Sequence, residues 1–129
     1  MIVLSGIIAS GAGQGAYFMR LAWVSGAVRG ALGFDPYPGT LNVRLPDAEN
    51  LKSWRDVSKR RALVLTPPAP ETCGGRLVPV TLARDIAAAV IVPDVTRYGD
   101  DVLEVIAPVH LRSRLGLEDG DVLELTMTE

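Results

Sequence analysis

Apolar residues in this chain fall mostly into short β-branched runs, punctuated by glycine and proline. Residues 2–9, Ile-Val-Leu-Ser-Gly-Ile-Ile-Ala, predict a buried strand that ends in a glycine-rich loop, Ser10-Gly11-Ala12-Gly13-Gln14-Gly15-Ala16. Tyr17 to Leu21 predicts a second strand pairing back on the first. Between Trp23 and Leu32 the spacing turns helical, with Trp23, Ala27 and Ala31 on one side and Gly33 as the stop. Asp35-Pro36-Tyr37-Pro38-Gly39 predicts a rigid turn, because two prolines fix φ and remove two donors. Thr40 to Leu45 then reads as a strand. Residues 46–61 are polar and predict a loop carrying a short helix near Leu51–Val57. Strands are predicted again at Ala62–Thr66, Arg76–Ala83, Ile86–Val92, Val102–Ala107 and Asp121–Met127, and one or two helical turns at His110–Leu115. Many short strands with few helices predict a mainly β protein, closed into a small barrel in place of a parallel sheet.

Length and composition narrow the class. A chain of 129 residues is expected to be one domain, large enough to bury a core without disulfides or a structural metal. Hydrophobic residues are 48% of it but aromatics only 5%, so the core is expected to be aliphatic. No apolar run of spanning length is free of charge, and no basic region precedes Met1-Ile2-Val3-Leu4. Neither a membrane span nor a secretory signal is expected. Cys73 is the single cysteine, which excludes an internal disulfide and points to a reducing, cytoplasmic setting. A net charge of −2 argues against a general nucleic-acid binder. The halves differ: residues 1–61 hold eight Lys+Arg against four Asp+Glu, and the remainder five against eleven. A basic first half suits an anionic ligand, or is an uneven solvated surface.

The loop Gly11-Ala12-Gly13-Gln14-Gly15-Ala16 formally matches the dinucleotide pattern, with Asp35 near the distance of a ribose-binding carboxylate. That reading requires parallel strands around a helix, yet Asp35 sits inside a proline turn and the chain is too short for a doubly wound sheet. No Gly-Lys-Ser/Thr follows, so the loop is not a P-loop. What remains is backbone with almost no side chains, able to turn N–H groups toward an anion or simply to supply positive φ to a hairpin. Thr40 and Asn42, two apart in a strand, face the same side while Leu41 faces the core. Their oxygens are weak ligands for free Mg²⁺ but suit a magnesium already carried by nucleotide phosphates; alternatively they satisfy turn hydrogen bonds. Glu104 is an acid inside the apolar strand Val102-Leu103-Glu104-Val105-Ile106. On a buried face desolvation would make it a plausible base; on a wet face it is an ordinary solvated glutamate.

Four stretches together resemble the CTP-dependent riboflavin kinases of archaea. They are Gly11-Ala12-Gly13-Gln14-Gly15-Ala16-Tyr17-Phe18, then Leu32-Gly33-Phe34-Asp35-Pro36-Tyr37-Pro38-Gly39-Thr40-Leu41-Asn42-Val43, then Pro93-Asp94-Val95-Thr96-Arg97-Tyr98, and Val105-Ile106-Ala107-Pro108-Val109-His110-Leu111-Arg112. The resemblance implies a compact six-stranded cradle-loop barrel that transfers the γ-phosphate of CTP to riboflavin, giving FMN and CDP with Mg²⁺. It implies that Gly11, Ala12, Gly13, Gln14, Gly15 and Ala16, with Val109, His110, Leu111 and Arg112, hold the nucleotide. Thr40 and Asn42 would hold Mg²⁺, and Thr96 and Glu104 the flavin, with Glu104 also the candidate catalytic group. Two positions depart from the family's pattern: Arg97 stands where histidine is frequent, and His110 where asparagine is frequent.

The chain is further expected to be a stand-alone domain without the additional DNA-binding domain of some members, and a monomer that binds neither nucleic acid nor membrane. His110 is expected to be structural, Cys73 to have no chemistry, and Trp23 and Trp54 to anchor packing, although either could line a flavin pocket. Two alternatives stay open. The tail from Leu111 to Leu125 also resembles small DNA-binding regulators built on related barrels, although its acids oppose that use. A flavin or nucleotide sensor without turnover would keep the same pocket.

Overall fold

The computed structural model describes residues 1–10, 18–94 and 101–127. Along them run β1 (Ile2–Ala9), α1 (Ala22–Leu32), β2 (Leu41–Arg44), α2 (Ala48–Arg61), β3 (Leu63–Leu65), β4 (Gly75–Leu82), β5 (Ile86–Pro93), β6 (Val102–Ile106), α3 (Leu111–Leu115) and β7 (Val122–Met127). Every strand pairing among the described residues is antiparallel, which removes the dinucleotide reading of the glycine loop. Neighbours run β4-β5-β6-β2-β1-β7, and β7 returns to β4 through Thr81↔Thr126 and Leu82↔Leu125. Six strands therefore close into the expected barrel. Strand β3 stands outside it and pairs with the first residues of β4. Pro79, which has no N–H to give, lies on β4 between the stretch paired with β3 and the stretch paired with β7.

Alternation along the strands divides the apolar residues into two clusters. Leu4, Ile8, Leu41, Val43, Val90, Leu103, Val105 and Leu125 fill the barrel, joined by Trp54 and Val57 of α2. Trp54 is thus a packing anchor of the main core. The opposite faces of β4, β5 and β6 carry Leu77, Ala89, Ile91 and Ile106, and these pack with Phe18, Met19, Val24 and Val28. Trp23 meets Phe18 edge-on at 5.8 Å between ring centroids. Strands β5 and β6 are consequently buried on both sides, which explains their nearly continuous apolar sequence.

Two expectations need correction. Phe18 to Leu21, the described part of the strand expected at Tyr17–Leu21, is not a strand; Phe18 and Met19 are helical, and a turn at Arg20 leads from them into α1. Both are buried although adjacent, which a half-buried strand would not allow and a helical turn under the barrel wall does. The helix expected near Leu51–Val57 in fact runs from Ala48 to Arg61. Asp47 caps it by accepting the Asn50 amide at 2.8 Å, and Lys59, Arg60 and Arg61 occupy its last turn. Cap and terminal charges, which complement the helix dipole, sustain a helix whose apolar stripe is too thin to announce its length.

Candidate active site

The turn after Asp35 is fixed before it reaches the barrel. Its prolines stiffen it, and the Tyr37 amide donates to the Ala107 carbonyl at 2.7 Å, tying the turn to the end of β6. Gly39 takes a φ of 110°, a conformation that glycine reaches without a steric penalty. Asp35 itself pairs with Arg29 at the end of α1. Thr40, expected as the first strand residue, instead immediately precedes β2, where Leu41 and Val43 point into the barrel and Asn42 points out of it.

The register sets Ala9, Asn42, Glu104 and Ile91 in one row across β1, β2, β6 and β5. Successive members are about 5 Å apart. The face they share also carries Ile91 and Ile106, members of the apolar cluster under α1, so it is not wet. Glu104 is only 4% exposed and Asn42 only 7%. The solvated reading of Glu104 is thereby excluded. Thr40 Oγ1 donates to Glu104 Oε1 at 2.8 Å. With its proton committed, the Thr40 oxygen has only lone pairs left to offer. Asn42 Oδ1 is buried and accepts no hydrogen bond among the described residues. An orphaned buried carbonyl of this kind costs about 1–3 kcal/mol, a penalty that an added donor or cation removes.

These observations fit Mg²⁺ at Thr40 and Asn42. Two oxygens with free lone pairs, one just before β2 and one within it, both neighbour the Glu104 carboxylate, and hard cations take oxygen ligands. No group of three or more His, Cys, Asp or Glu able to hold a metal occurs among the described residues. Most ligands of such an ion would therefore come from phosphates and water.

In front of Thr40 opens a pocket of about 250 Å³, with Tyr37 to Leu41 on one side and Val109 to Arg112 on another. The structure thus brings together Thr40 and the described nucleotide segment expected from the sequence. Leu111 is buried and anchors that segment. His110 stacks obliquely on Tyr37, at 5.1 Å between centroids, and its Nδ1 lies 2.6 Å from Ser113 Oγ, contacts of a positioning group. Gly11, Ala12, Gly13, Gln14, Gly15, Ala16 and Thr96 lie outside the described residues. The stem of the glycine loop, however, leaves β1 at Ala9, the register partner of Asn42.

One residue escaped the sequence reading. Asp119 accepts Ser10 Oγ at 2.7 Å and Arg112 Nη2 at 2.6 Å, and the same Nη2 reaches the Ala9 carbonyl at 3.4 Å. The Ser10 hydroxyl and the Arg112 guanidinium hold the Asp119 carboxyl below the usual carboxylate range. In the sequence it was one acid of Glu118-Asp119-Gly120-Asp121. Only the antiparallel pairing of β1 with β7 carries this turn to the loop stem, and no local pattern encodes that.

The antiparallel barrel is closed, and Thr40 and Arg112 line one open pocket beside it, whereas Asn42 and Glu104 are buried and do not line that pocket. Comparison with known proteins makes the class specific. The family model for the CTP-dependent riboflavin kinase domain, described as domain of unknown function DUF120, matches residues 8–127, and the chain belongs to this family. Proteins named riboflavin kinase from Archaeoglobus fulgidus, Pyrobaculum islandicum and Methanocella arvoryzae are 38%, 40% and 39% identical to it. The alignments cover 96%, 96% and 97% of this chain but 54%, 59% and 56% of those proteins. The chain therefore spans somewhat more than half the length of these relatives.

Proposed function

We propose that residues 1–129 act as one riboflavin kinase domain, moving the γ-phosphoryl group of CTP to the ribityl 5'-hydroxyl of riboflavin and releasing FMN and CDP. The observation that carries this reading is the meeting of Thr40, hydrogen-bonded to the buried Glu104, with the Val109–Arg112 segment at one pocket. Family membership supplies the reaction class, and the names of the relatives supply the flavin substrate.

Phosphoryl transfer demands alignment and charge neutralisation more than covalent chemistry. Arg112 supplies a cation at the pocket, and the backbone of Gly11 to Ala16 supplies N–H donors to the phosphates. Thr40 and Asn42 would hold Mg²⁺, which when bound would supply charge neutralisation for the phosphates. Thr40 directs its proton to Glu104 and so keeps its oxygen free as a ligand while fixing the carboxylate in place. Glu104, with Thr96, binds the flavin; its carboxylate accepts the hydrogen bond of the ribityl hydroxyl and takes its proton as the oxygen–phosphorus bond forms. Burial favours this role, because it keeps bulk water from competing for the carboxylate. Choice of cytosine asks for an acceptor facing its amino group and donors facing its ring oxygen and nitrogen, which backbone can supply.

The test is riboflavin phosphorylation with CTP, UTP, GTP and ATP side by side, with and without a chelator, FMN being read by chromatography. CTP is expected to give the fastest turnover, and the chelator to stop it. Faster turnover with ATP would remove the donor assignment and leave the kinase; no FMN with any donor would remove both.

A further inference from the structure

We propose that Asp119 is a positioning residue for the nucleotide, holding Arg112 and Ser10, the residue that precedes Gly11, on a single carboxylate. The inference rests on the nucleotide site proposed above and adds to it a residue from a third part of the chain.

Its geometry is specific. Each Asp119 oxygen has one partner: Oδ1 takes Arg112 Nη2 and Oδ2 takes Ser10 Oγ. Ser10 is the residue immediately before the glycine loop, and Arg112 lines the pocket. Asp119 is itself anchored from behind by backbone: the Gly120 amide donates to the Ile8 carbonyl and the Ile8 amide to the Asp121 carbonyl, each at 2.8 Å. The turn that carries the carboxylate is therefore fixed to β1. It rides on the barrel ladder next to β1, whose far side carries the Ala9↔Asn42 pair.

Asp119 could also act in the opposite sense, as an internal anion that competes with phosphate for Arg112. The geometry favours positioning. Among the described residues Arg112 uses only Nη2, on Asp119 and the Ala9 carbonyl, leaving Nε and Nη1 for a ligand. A long side chain pinned at one corner has lost the rotamer freedom that binding would otherwise have to freeze. The ion pair itself adds little stability, since the two side chains are 34% and 54% exposed. Its effect belongs to binding.

The experiment is calorimetric titration with CDP and Mg²⁺ of Asp119→Asn, Asp119→Glu, Arg112→Ala and the double variant that combines Asp119→Asn with Arg112→Ala, alongside steady-state kinetics and thermal melting. Asp119→Asn should weaken CDP binding roughly tenfold and raise the KM for CTP to match, as expected when a charge-assisted bond no longer orients the guanidinium. The KM for riboflavin and the melting temperature should hold, and Asp119→Glu should recover part of the loss. In the Arg112→Ala background the second substitution should cost much less than it does alone. Tighter binding by Asp119→Asn would make Asp119 a competitor, additive losses would uncouple it from Arg112, and a loss tracking a lowered melting temperature would make it structural; each overturns the proposal. Failure of the unsubstituted protein to bind CDP would instead overturn the nucleotide site on which it rests.

Discussion

Replacing Asn42 by leucine should make the protein more stable and less active at once. The two side chains have the same number of heavy atoms in the same branching, so the change substitutes methyl groups for the amide oxygen and nitrogen. In the native protein Asn42 Oδ1 is buried without a hydrogen-bond donor among the described residues. Leaving such a group unsatisfied costs about 1–3 kcal/mol, and crowding by the larger methyls returns part of that. A net gain of about 1 kcal/mol corresponds to roughly 3–6 °C in melting temperature for a domain of this size. Melting by circular dichroism in chelator should show that rise for Asn42→Leu. Adding Mg²⁺ to the CDP-bound protein should raise the melting temperature of the unsubstituted chain and leave that of Asn42→Leu where it was, while riboflavin phosphorylation falls by about a hundredfold or more. Asn42→Asp supplies the opposite sign: it sets a second carboxylate opposite Glu104 on the β2–β6 pair, destabilising the metal-free protein and strengthening the response to Mg²⁺. An Asn42→Leu protein that melts lower than its parent in chelator, yet still gains from Mg²⁺, would refute both the orphaned oxygen and its role as ligand.

Two further outcomes follow from the same structure. Glu104→Gln keeps an oxygen for the Thr40 hydroxyl but cannot take a proton; kcat should fall by about 10²–10⁴ with little change in melting temperature. An intact kcat with altered riboflavin affinity would make Glu104 a binder alone. In the hairpin between β4 and β5, Ala83 and Arg84 have φ of 47° and 76°, so Arg84→Gly should stabilise by about 0.5 kcal/mol in urea unfolding, the relief of the left-handed strain exceeding the entropy that glycine adds to the unfolded chain. A loss of stability there would show that the arginine side chain has a structural use.

The barrel was legible from its runs of valine, leucine and isoleucine, because period-two alternation and glycine or proline breaks are local signals. Closure was not local. It depends on the return of β7 to β4 at Thr81↔Thr126, 45 positions apart in the chain; the count of short strands favoured a closed barrel, and the resemblance to a known family supplied its six strands. The Thr40/Asn42 pairing was readable from strand geometry alone, whereas the Thr40–Glu104 hydrogen bond joins residues 64 positions apart. Burial of Glu104 was undecidable from its own strand, since the deciding cover is the Phe18–Met19 turn and α1 on the outer face. That turn was itself misread as a strand: its adjacent apolar pair fits either element until the barrel wall is in place. Asp119 was invisible for a related reason, because an acid in a polar turn looks solvated until the register of β1 and β7 delivers Ser10 and Arg112 to it.

Anomalous diffraction from crystals grown with Mn²⁺ and CDP shows whether Thr40 and Asn42 grip the metal of a nucleotide. A manganese peak is expected within about 2.0–2.3 Å of both Thr40 Oγ1 and Asn42 Oδ1, with phosphate oxygens completing its shell. A peak bound by the phosphates but out of reach of these two residues, or seated on another face of the barrel, would contradict it.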